Sequence, residues 1–261
     1  MGQLRCRVYV KDVAGMEKGL VSPRTLAELP PLISKIKYFK AHNLHAISME
    51  RSRGRNVKIP IDGILLEGTL NVPERAKGIV VFAHGSGSSR FSPRNMFVAR
   101  VLQEAGIGTL LFDLLTREED INYMTRFNIN LLAERLAIAT RWLLQQNESK
   151  GIKIGYFGAS TGAAAALQAA AEPDIVISAI VSRGGRPDLA MPFLNMVKAP
   201  TLLIVGGYDD VVIELNREAY NQLKAEKKLA IVPAASHLFE ELGKLEEVAK
   251  LAKEWFLECL R

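Results

Sequence analysis

The sequence predicts an α/β fold, in which a mostly parallel sheet is covered by helices on both faces. From about residue 78 to the C-terminus, short apolar runs alternate with longer amphipathic segments, a pattern typical of strands and helices in such a sheet. The stretch Gly-Ala-Ser-Thr-Gly at 158–162 joins an apolar run to a run of small residues. It therefore indicates a strand, a sharp turn and a helix in direct succession.

The first predicted element is an antiparallel hairpin at one edge of the sheet. Residues 57–61 and 64–72 are strand-like and are separated by Asp62 and Gly63. An Asp-Gly pair favours a tight primed turn, because both central positions of that turn need positive φ angles.

Buried strands are expected next, at 78–83 and 109–112, with a helix between them. The helix should begin at Ser92 and Pro93, since serine caps a helix and proline suits its first turn, and end near Ala105.

The second half of the chain continues the alternation of helices and strands. In order, we expect an acidic turn at 117–120, a helix at 129–146, a strand at 152–157, a helix of small residues, strands at 175–181 and 201–205, a helix at 214–224, a strand at 229–232 and a final amphipathic helix. Only residues 183–200 separate two of the later strands, so there is room for one short helix and no large cap.

Composition is that of an ordinary globular protein, with 48% apolar and 24% charged residues in a chain of 261. Cys6 and Cys259 are the only cysteines, so neither a disulfide framework nor a cysteine metal site is predicted. Few cysteines and the absence of a signal-like start favour a reducing cytoplasm. No apolar run approaches the length of a membrane span.

Positive charge is concentrated at the start of the chain. Residues 1–58 hold 12 Lys and Arg against 4 Asp and Glu, whereas residues 59–261 hold 22 against 24. We therefore predict a basic N-terminal extension over 1–50 and a separate domain over 51–261. The extension could bind nucleic acid or an acidic partner, but it has few aromatic residues and no recognisable binding motif. His42 and His45 have no third ligand type nearby, so no metal site is predicted.

The predicted turn at 158–162 would present Ser160 as a nucleophile. Two further polar residues also follow apolar runs: Asp209 after residues 202–207, and His237 after residues 229–232. Serine, acid and histidine in this order is the order of the α/β-hydrolases. Since the carboxyl ends of parallel strands share one edge of the sheet, we expect a triad in which His237 is the base and Asp209 orients it.

Two backbone N–H groups are expected to hold the oxyanion of the reaction, those of Thr161 and Ser86. Ser86 lies in a glycine-rich loop after the strand at 78–83. Phosphate binding is the alternative role of this loop, although it lacks the glycine spacing and the Gly-Lys-Ser/Thr sequence of known phosphate loops. His84 is expected to be structural rather than catalytic, and Asp210 and Asp188 remain alternatives to Asp209.

Residues 84–90, 157–164, 206–209 and 236–239 together resemble the dienelactone-hydrolase-like branch of the α/β-hydrolase superfamily, and the resemblance extends over roughly residues 55–261. It implies the α/β-hydrolase fold and a catalytic triad, and it supports Asp209 because the acid of this branch follows Gly-Gly-x. The mechanism implies no cofactor. Dienelactone hydrolases proper use cysteine where this chain has Ser160, so their lactone substrate is not carried over.

These observations predict a serine hydrolase that cleaves a small carboxylic ester through an acyl-enzyme intermediate. Without a cap the site should be open, which favours small acyl groups. Arg183 and Arg186 could bind a substrate carboxylate as a clamp, or they could pair with Asp188 and neighbouring acids. The alternative function is a non-catalytic binding or regulatory protein on the same scaffold, but no member of the triad is missing.

Overall fold

The computed structural model describes residues 54–260, which contain one eight-stranded sheet. The strands are β1 (Arg55–Ile61), β2 (Ile64–Asn71), β3 (Ile79–Ala83), β4 (Gly108–Phe112), β5 (Ile154–Ala159), β6 (Ala179–Arg183), β7 (Thr201–Gly206) and β8 (Lys227–Val232). The α-helices are α1 (Pro93–Glu104), α2 (Arg117–Ile121), α3 (Ile129–Leu144), α4 (Thr161–Ala169), α5 (Asp210–Gln222) and α6 (Lys244–Cys259). The extension predicted over 1–50, with His42 and His45, lies outside the described residues.

The sheet has the strand order β1-β2-β4-β3-β5-β6-β7-β8. β1 pairs with β2 and β2 with β4 in antiparallel fashion, and every later pairing is parallel. The hairpin turn lies at Asp62 and Gly63, with φ angles of 44° and 83°. The mostly parallel sheet and its antiparallel hairpin therefore match the prediction.

Helices cover both faces of the sheet, as predicted. One apolar cluster includes buried residues of α3 and α4 and lies on one side, and a second includes buried residues of α1 and α6 and lies on the other. The second cluster forms because α1 buries one stripe of its surface, consisting of Asn95, Val98, Ala99 and Leu102. Ser92 caps this helix and Pro93 is in its first turn, as the sequence predicted.

Two predicted elements begin four residues away from their predicted starts, and several others differ by one or two residues. The acidic turn expected at 117–120 is the short helix α2. The strand expected at 175–181 is Ala179–Arg183, because Ile175 and Ile177 are buried against the α3 and α4 side before the strand begins. The helix expected from residue 214 starts at Asp210, directly after Asp209. The first difference moves Arg183 from a loop to the last position of a buried strand.

The connection between β6 and β7 contains only a short 3₁₀ segment, Pro187–Met196. The expected absence of a large cap at this connection is therefore confirmed. Among residues 54–260, no helix has the length and apolar character needed to cross a bilayer.

Candidate active site

Ser160 occupies a sharp turn between β5 and α4. Its φ angle of 51° is in the left-handed region, which a residue with a side chain adopts only when its surroundings enforce it. The surroundings are tight, since a Cβ placed on Gly158 would lie 2.4 Å from Ala163 Cα, and one on Gly162 would lie 2.2 Å from the Ala83 carbonyl oxygen. Glycine at both positions is therefore a condition for this turn, which leaves Ser160 partly exposed.

Asp209 and His237 are hydrogen-bonded, with 2.6 Å between Asp209 Oδ2 and His237 Nδ1. Asp209 follows β7 and His237 follows β8, and the two loops are joined by a hydrogen bond of 2.9 Å from Tyr208 N–H to the Ala235 carbonyl. Gly206 allows this approach, because a Cβ there would lie 2.4 Å from the Ser236 carbonyl oxygen.

The carboxyl end of β6 lies between Ser160 and the His237 loop. The Ser160 N–H donates to the carbonyl of Arg183 at 3.2 Å. A Cβ on the next residue, Gly184, would lie 3.0 Å from the His237 carbonyl oxygen, and Gly184 has a φ of 50°. The three predicted triad residues thus lie at one edge of the sheet, around the same strand end.

The two alternative acids have other surroundings. Both carboxylate oxygens of Asp188 accept hydrogen bonds from Arg186, at 2.9 and 2.7 Å. Asp210 is exposed at the first position of α5. Among the described residues, Asp209 is the carboxylate that the structure brings to His237.

The two predicted oxyanion donors lie close together. Thr161 is the first residue of α4, and the first N–H groups of a helix have no partner within it. The Ser86 N–H donates to the hydroxyl oxygen of Thr161 at 2.9 Å. Gly85 brings this loop against Ser160, because a Cβ on Gly85 would lie 3.0 Å from Ser160 Cβ.

His84 connects the glycine-rich loop to the chain after β4. Its Nε2 accepts the Leu114 N–H at 3.0 Å, so its proton is on Nδ1, which lies 3.0 Å from the Gly85 carbonyl oxygen. Burial lowers the pKa of His84, and the hydrogen bond to Gly85 opposes that shift only in part. A neutral, buried histidine with both nitrogens engaged fits a structural role.

Replacing His84 with glutamine should remove part of the acid sensitivity of the fold. The unfolded chain gains a proton near the ordinary pKa of 6.5, whereas native His84 stays neutral to lower pH, so the wild type loses stability as pH falls below that value. At about pH 5.5 the loss reaches up to about 1.4 kcal/mol. Urea unfolding of both proteins at about pH 7.5 and 5.5 measures it. An equal loss in the glutamine variant would contradict this role.

Arg183 and Arg186, which the sequence suggested as a carboxylate clamp or as partners of Asp188 and neighbouring acids, have different surroundings in the structure. The guanidinium of Arg186 is engaged with Asp188, and its backbone N–H donates to the Ser160 carbonyl at 3.1 Å. Arg183 is 6% exposed and points toward α1, where its Nη2 lies 3.4 Å from Asn95 Oδ1. Arg183 therefore keeps its charge available, while the charge of Arg186 is neutralised.

The sequence analysis did not single out Arg94, Asn95 or Glu241. Both carboxylate oxygens of Glu241 accept the Ser236 N–H at 3.0 Å, beside His237. Asn95 is 2% exposed. Its burial could have been predicted from the sequence, because it lies at a helical spacing from Val98 and Leu102 in the apolar stripe of α1. A polar residue in a buried stripe has to bond to something across the interface. No comparable signal marked Glu241.

The family model of the dienelactone hydrolase family matches residues 66–260. A crystal structure of dienelactone hydrolase from Anabaena variabilis is 56% identical, with a TM-score of 0.78 over 81% of this chain and 100% of that one. The esterase Est1E from Butyrivibrio proteoclasticus has a TM-score of 0.68 at 18% identity, over 79% of this chain and 99% of that one. This second likeness shows the fold alone, and together the matches confirm the predicted fold class.

Two proteins of Mycobacterium tuberculosis, strains CDC 1551 and H37Rv, are each 56% identical to this chain over 208 residues. Each bears the name "Putative phosphoribosyl transferase". The match covers 80% of this chain and 47% of either relative, so the chain spans about half the length of these proteins.

Proposed function

Because this chain belongs to the dienelactone hydrolase family, we propose that it is a serine hydrolase that cleaves a small carboxylic ester through an acyl-enzyme intermediate. The observation that carries the proposal is the hydrogen bond between Asp209 and His237 at the strand edge where Ser160 forms its strained turn. Family membership supports hydrolysis in general, and this geometry supports serine as the nucleophile.

In the proposed mechanism, Asp209 accepts a hydrogen bond from the Nδ1–H of His237, which keeps the proton on Nδ1 and leaves Nε2 free to act as a base. Ser160 Oγ attacks the ester carbonyl and passes its proton to Nε2. The tetrahedral intermediate collapses as Nε2 returns this proton to the departing alcohol, leaving Ser160 acylated. Water then attacks the acyl group, with His237 again taking and returning one proton, and the acid product leaves.

The Thr161 and Ser86 N–H groups would stabilise the negative oxygen of both tetrahedral intermediates. The Ser86 N–H is bound to the Thr161 hydroxyl before substrate arrives. In the proposed mechanism the Ser86 N–H leaves the Thr161 hydroxyl and donates to the oxyanion instead. A hydrogen bond to a neutral oxygen is thereby replaced by a stronger one to a charged oxygen.

The proposed substrate is small because the connection between β6 and β7 is short and holds no large cap. Arg186 would support the site through its backbone hydrogen bond to Ser160 and its ion pair with Asp188, rather than by holding a substrate. The name of the mycobacterial relatives describes a transferase, and it applies to chains about twice as long. We keep hydrolysis as the proposal, since a Ser-His-Asp arrangement serves acyl chemistry.

A serine-directed fluorophosphonate tests whether Ser160 is activated, independently of the natural substrate. Intact-mass measurement should show one adduct per wild-type chain and none on Ser160→Ala. The control is Ser178→Ala, since Ser178 lies at the opposite end of β6, and this variant should be labelled like the wild type. A folded wild type without any adduct would instead favour the non-catalytic scaffold.

A further inference from the structure

Arg183 is a buried cation that has no counterion among the residues that the structure describes, 54–260. The residue is 6% exposed, and its Nε is a buried donor without a hydrogen-bond acceptor. Among residues 54–260, its hydrogen-bond partner is the neutral amide oxygen of Asn95, at the long distance of 3.4 Å. A buried guanidinium stays protonated, and it is costly to bury unless an anion accompanies it.

A second arginine, Arg94, adds a charge of the same sign. Burial lowers the pKa of Arg183 to about 10, and repulsion from Arg94 adds to this shift. Arg94 has a buried, unpartnered Nε of its own. Its Nη1 is 3.2 Å from Glu240, whose side chain is 64% exposed. One solvated carboxylate therefore accompanies two guanidinium groups.

The first turn of α1 adds to this positive charge. Arg94 and Asn95 are the second and third residues of α1, and a helix N-terminus carries a partial positive charge. Arg183 points toward this terminus through its contact with Asn95. Two arginines and the side chain of Asn95 in the first turn of α1 thus lie near one another, and we call this region the α1–β6 subsite and define it by Arg94, Asn95 and Arg183.

The α1–β6 subsite adjoins the catalytic residues through the backbone. The Arg183 carbonyl accepts the Ser160 N–H, and Arg183 pairs in register with Ala159, the residue before the nucleophile. Gly184, the next residue, packs against His237. A group bound at Arg183 would therefore be close to an ester held at Ser160.

We propose that the α1–β6 subsite binds a dianionic phosphate group carried by the substrate of the proposed hydrolase. Phosphate fits better than a carboxylate because two guanidinium groups and a helix terminus supply more than one positive charge. Arg183 Nε and Arg94 Nε, the two donors without acceptors, would both bond to phosphate oxygens. The subsite rests on the proposed function only for its role in catalysis, since anion binding is measurable without turnover.

Inorganic phosphate is the probe for binding. At about ten times its dissociation constant, it should raise the Tm of the wild type by roughly 3–5 °C, compared with sodium chloride of equal ionic strength. Sodium acetate should give a smaller shift. Arg183→Met should lose the phosphate shift and, without phosphate, should melt at or above the wild-type Tm, because an unpaired buried charge has been removed. Absence of a phosphate shift in the wild type would overturn the subsite.

Two esters with the same leaving group test the role in catalysis. For 4-nitrophenyl 3-phosphonopropanoate, kcat/KM of Arg183→Met should fall by about 10–100-fold, the loss expected for a charge-assisted contact. For 4-nitrophenyl butanoate it should change less than about twofold. The control is Arg217→Met, which removes an exposed arginine paired with Glu214 on α5 and should leave both esters and the phosphate shift unchanged.

The outcomes separate this proposal from the proposed function. Equal losses on both esters, or a Tm of Arg183→Met more than about 5 °C below wild type, would show that Arg183 is structural support and overturn the subsite. A phosphate shift that depends on Arg183, in a protein that the fluorophosphonate does not label, would support the anion site and contradict the hydrolase. Turnover of the neutral ester without any phosphate-induced shift in Tm would support the hydrolase and contradict the anion site.

Discussion

Replacement of Ser160 by alanine should lower kcat for a 4-nitrophenyl ester by at least about 10⁴-fold. The reason is that Ser160 carries the proposed nucleophile, while the neighbouring Thr161 hydroxyl is buried and accepts the Ser86 N–H, so an acyl-enzyme cannot form. Residual turnover would come from substrate binding and the oxyanion donors alone. In comparable enzymes these supply only a small part of the total rate acceleration over the uncatalysed reaction. Steady-state kinetics at saturating ester, beside the uncatalysed rate, measure the loss.

A second variant separates loss of chemistry from loss of fold. Glycine accepts the φ angle of 51° at position 160 without the strain of a side chain, so Ser160→Gly should be as inactive as the alanine variant and at least as stable as the wild type. Thermal unfolding of all three proteins checks this. Turnover within about tenfold of wild type in either variant would remove Ser160 from the mechanism.

The turn at Ser160 could be predicted from sequence because its requirements are local. Glycine is needed at positions 158 and 162 because neighbouring backbone lies too close to leave room for a Cβ. Both glycines are within two residues of Ser160 in the chain, so the pattern is visible in the sequence. Asp209 and His237 were predictable for a related reason: each follows a buried strand, and parallel strands deliver their carboxyl ends to one edge.

The role of Arg183 could not be predicted in the same way, because the direction of a side chain depends on where its strand begins. The apolar run 175–181 suggested that the strand ended before Arg183, whereas the structure continues β6 to this residue. In a strand, side chains alternate between faces, and the side chain of Arg183 lies on the face covered by α1, where it contacts Asn95. The pairing of Arg186 with Asp188 was open at the sequence level, since both residues lie in one loop and either could have faced solvent.

Because the backbone at Ser160 is strained, its conformation depends on the residues packed around it. The turn persists because β5, α4 and the loop after β3 approach it from three sides, as the distances at Gly158, Gly162 and Gly85 show. His84 supports the last of these contacts through its bonds to Leu114 and Gly85. The geometry of Ser160 therefore depends on residues outside the proposed triad.

Asp209→Asn should lower kcat by about 10³–10⁴-fold while leaving the structure intact. An asparagine amide can donate to Nδ1 of His237, which would place the imidazole proton on Nε2 and prevent it from accepting the proton of Ser160. The carboxylate also stabilises the imidazolium during attack, and the amide does not. Asp210→Asn is the matched control, because Asp210 is the adjacent carboxylate and is exposed on α5. It should change kcat less than about threefold. If the two variants exchanged these effects, Asp210 would be the acid of the triad, and the loop after β7 would have to turn by one residue to bring it to His237.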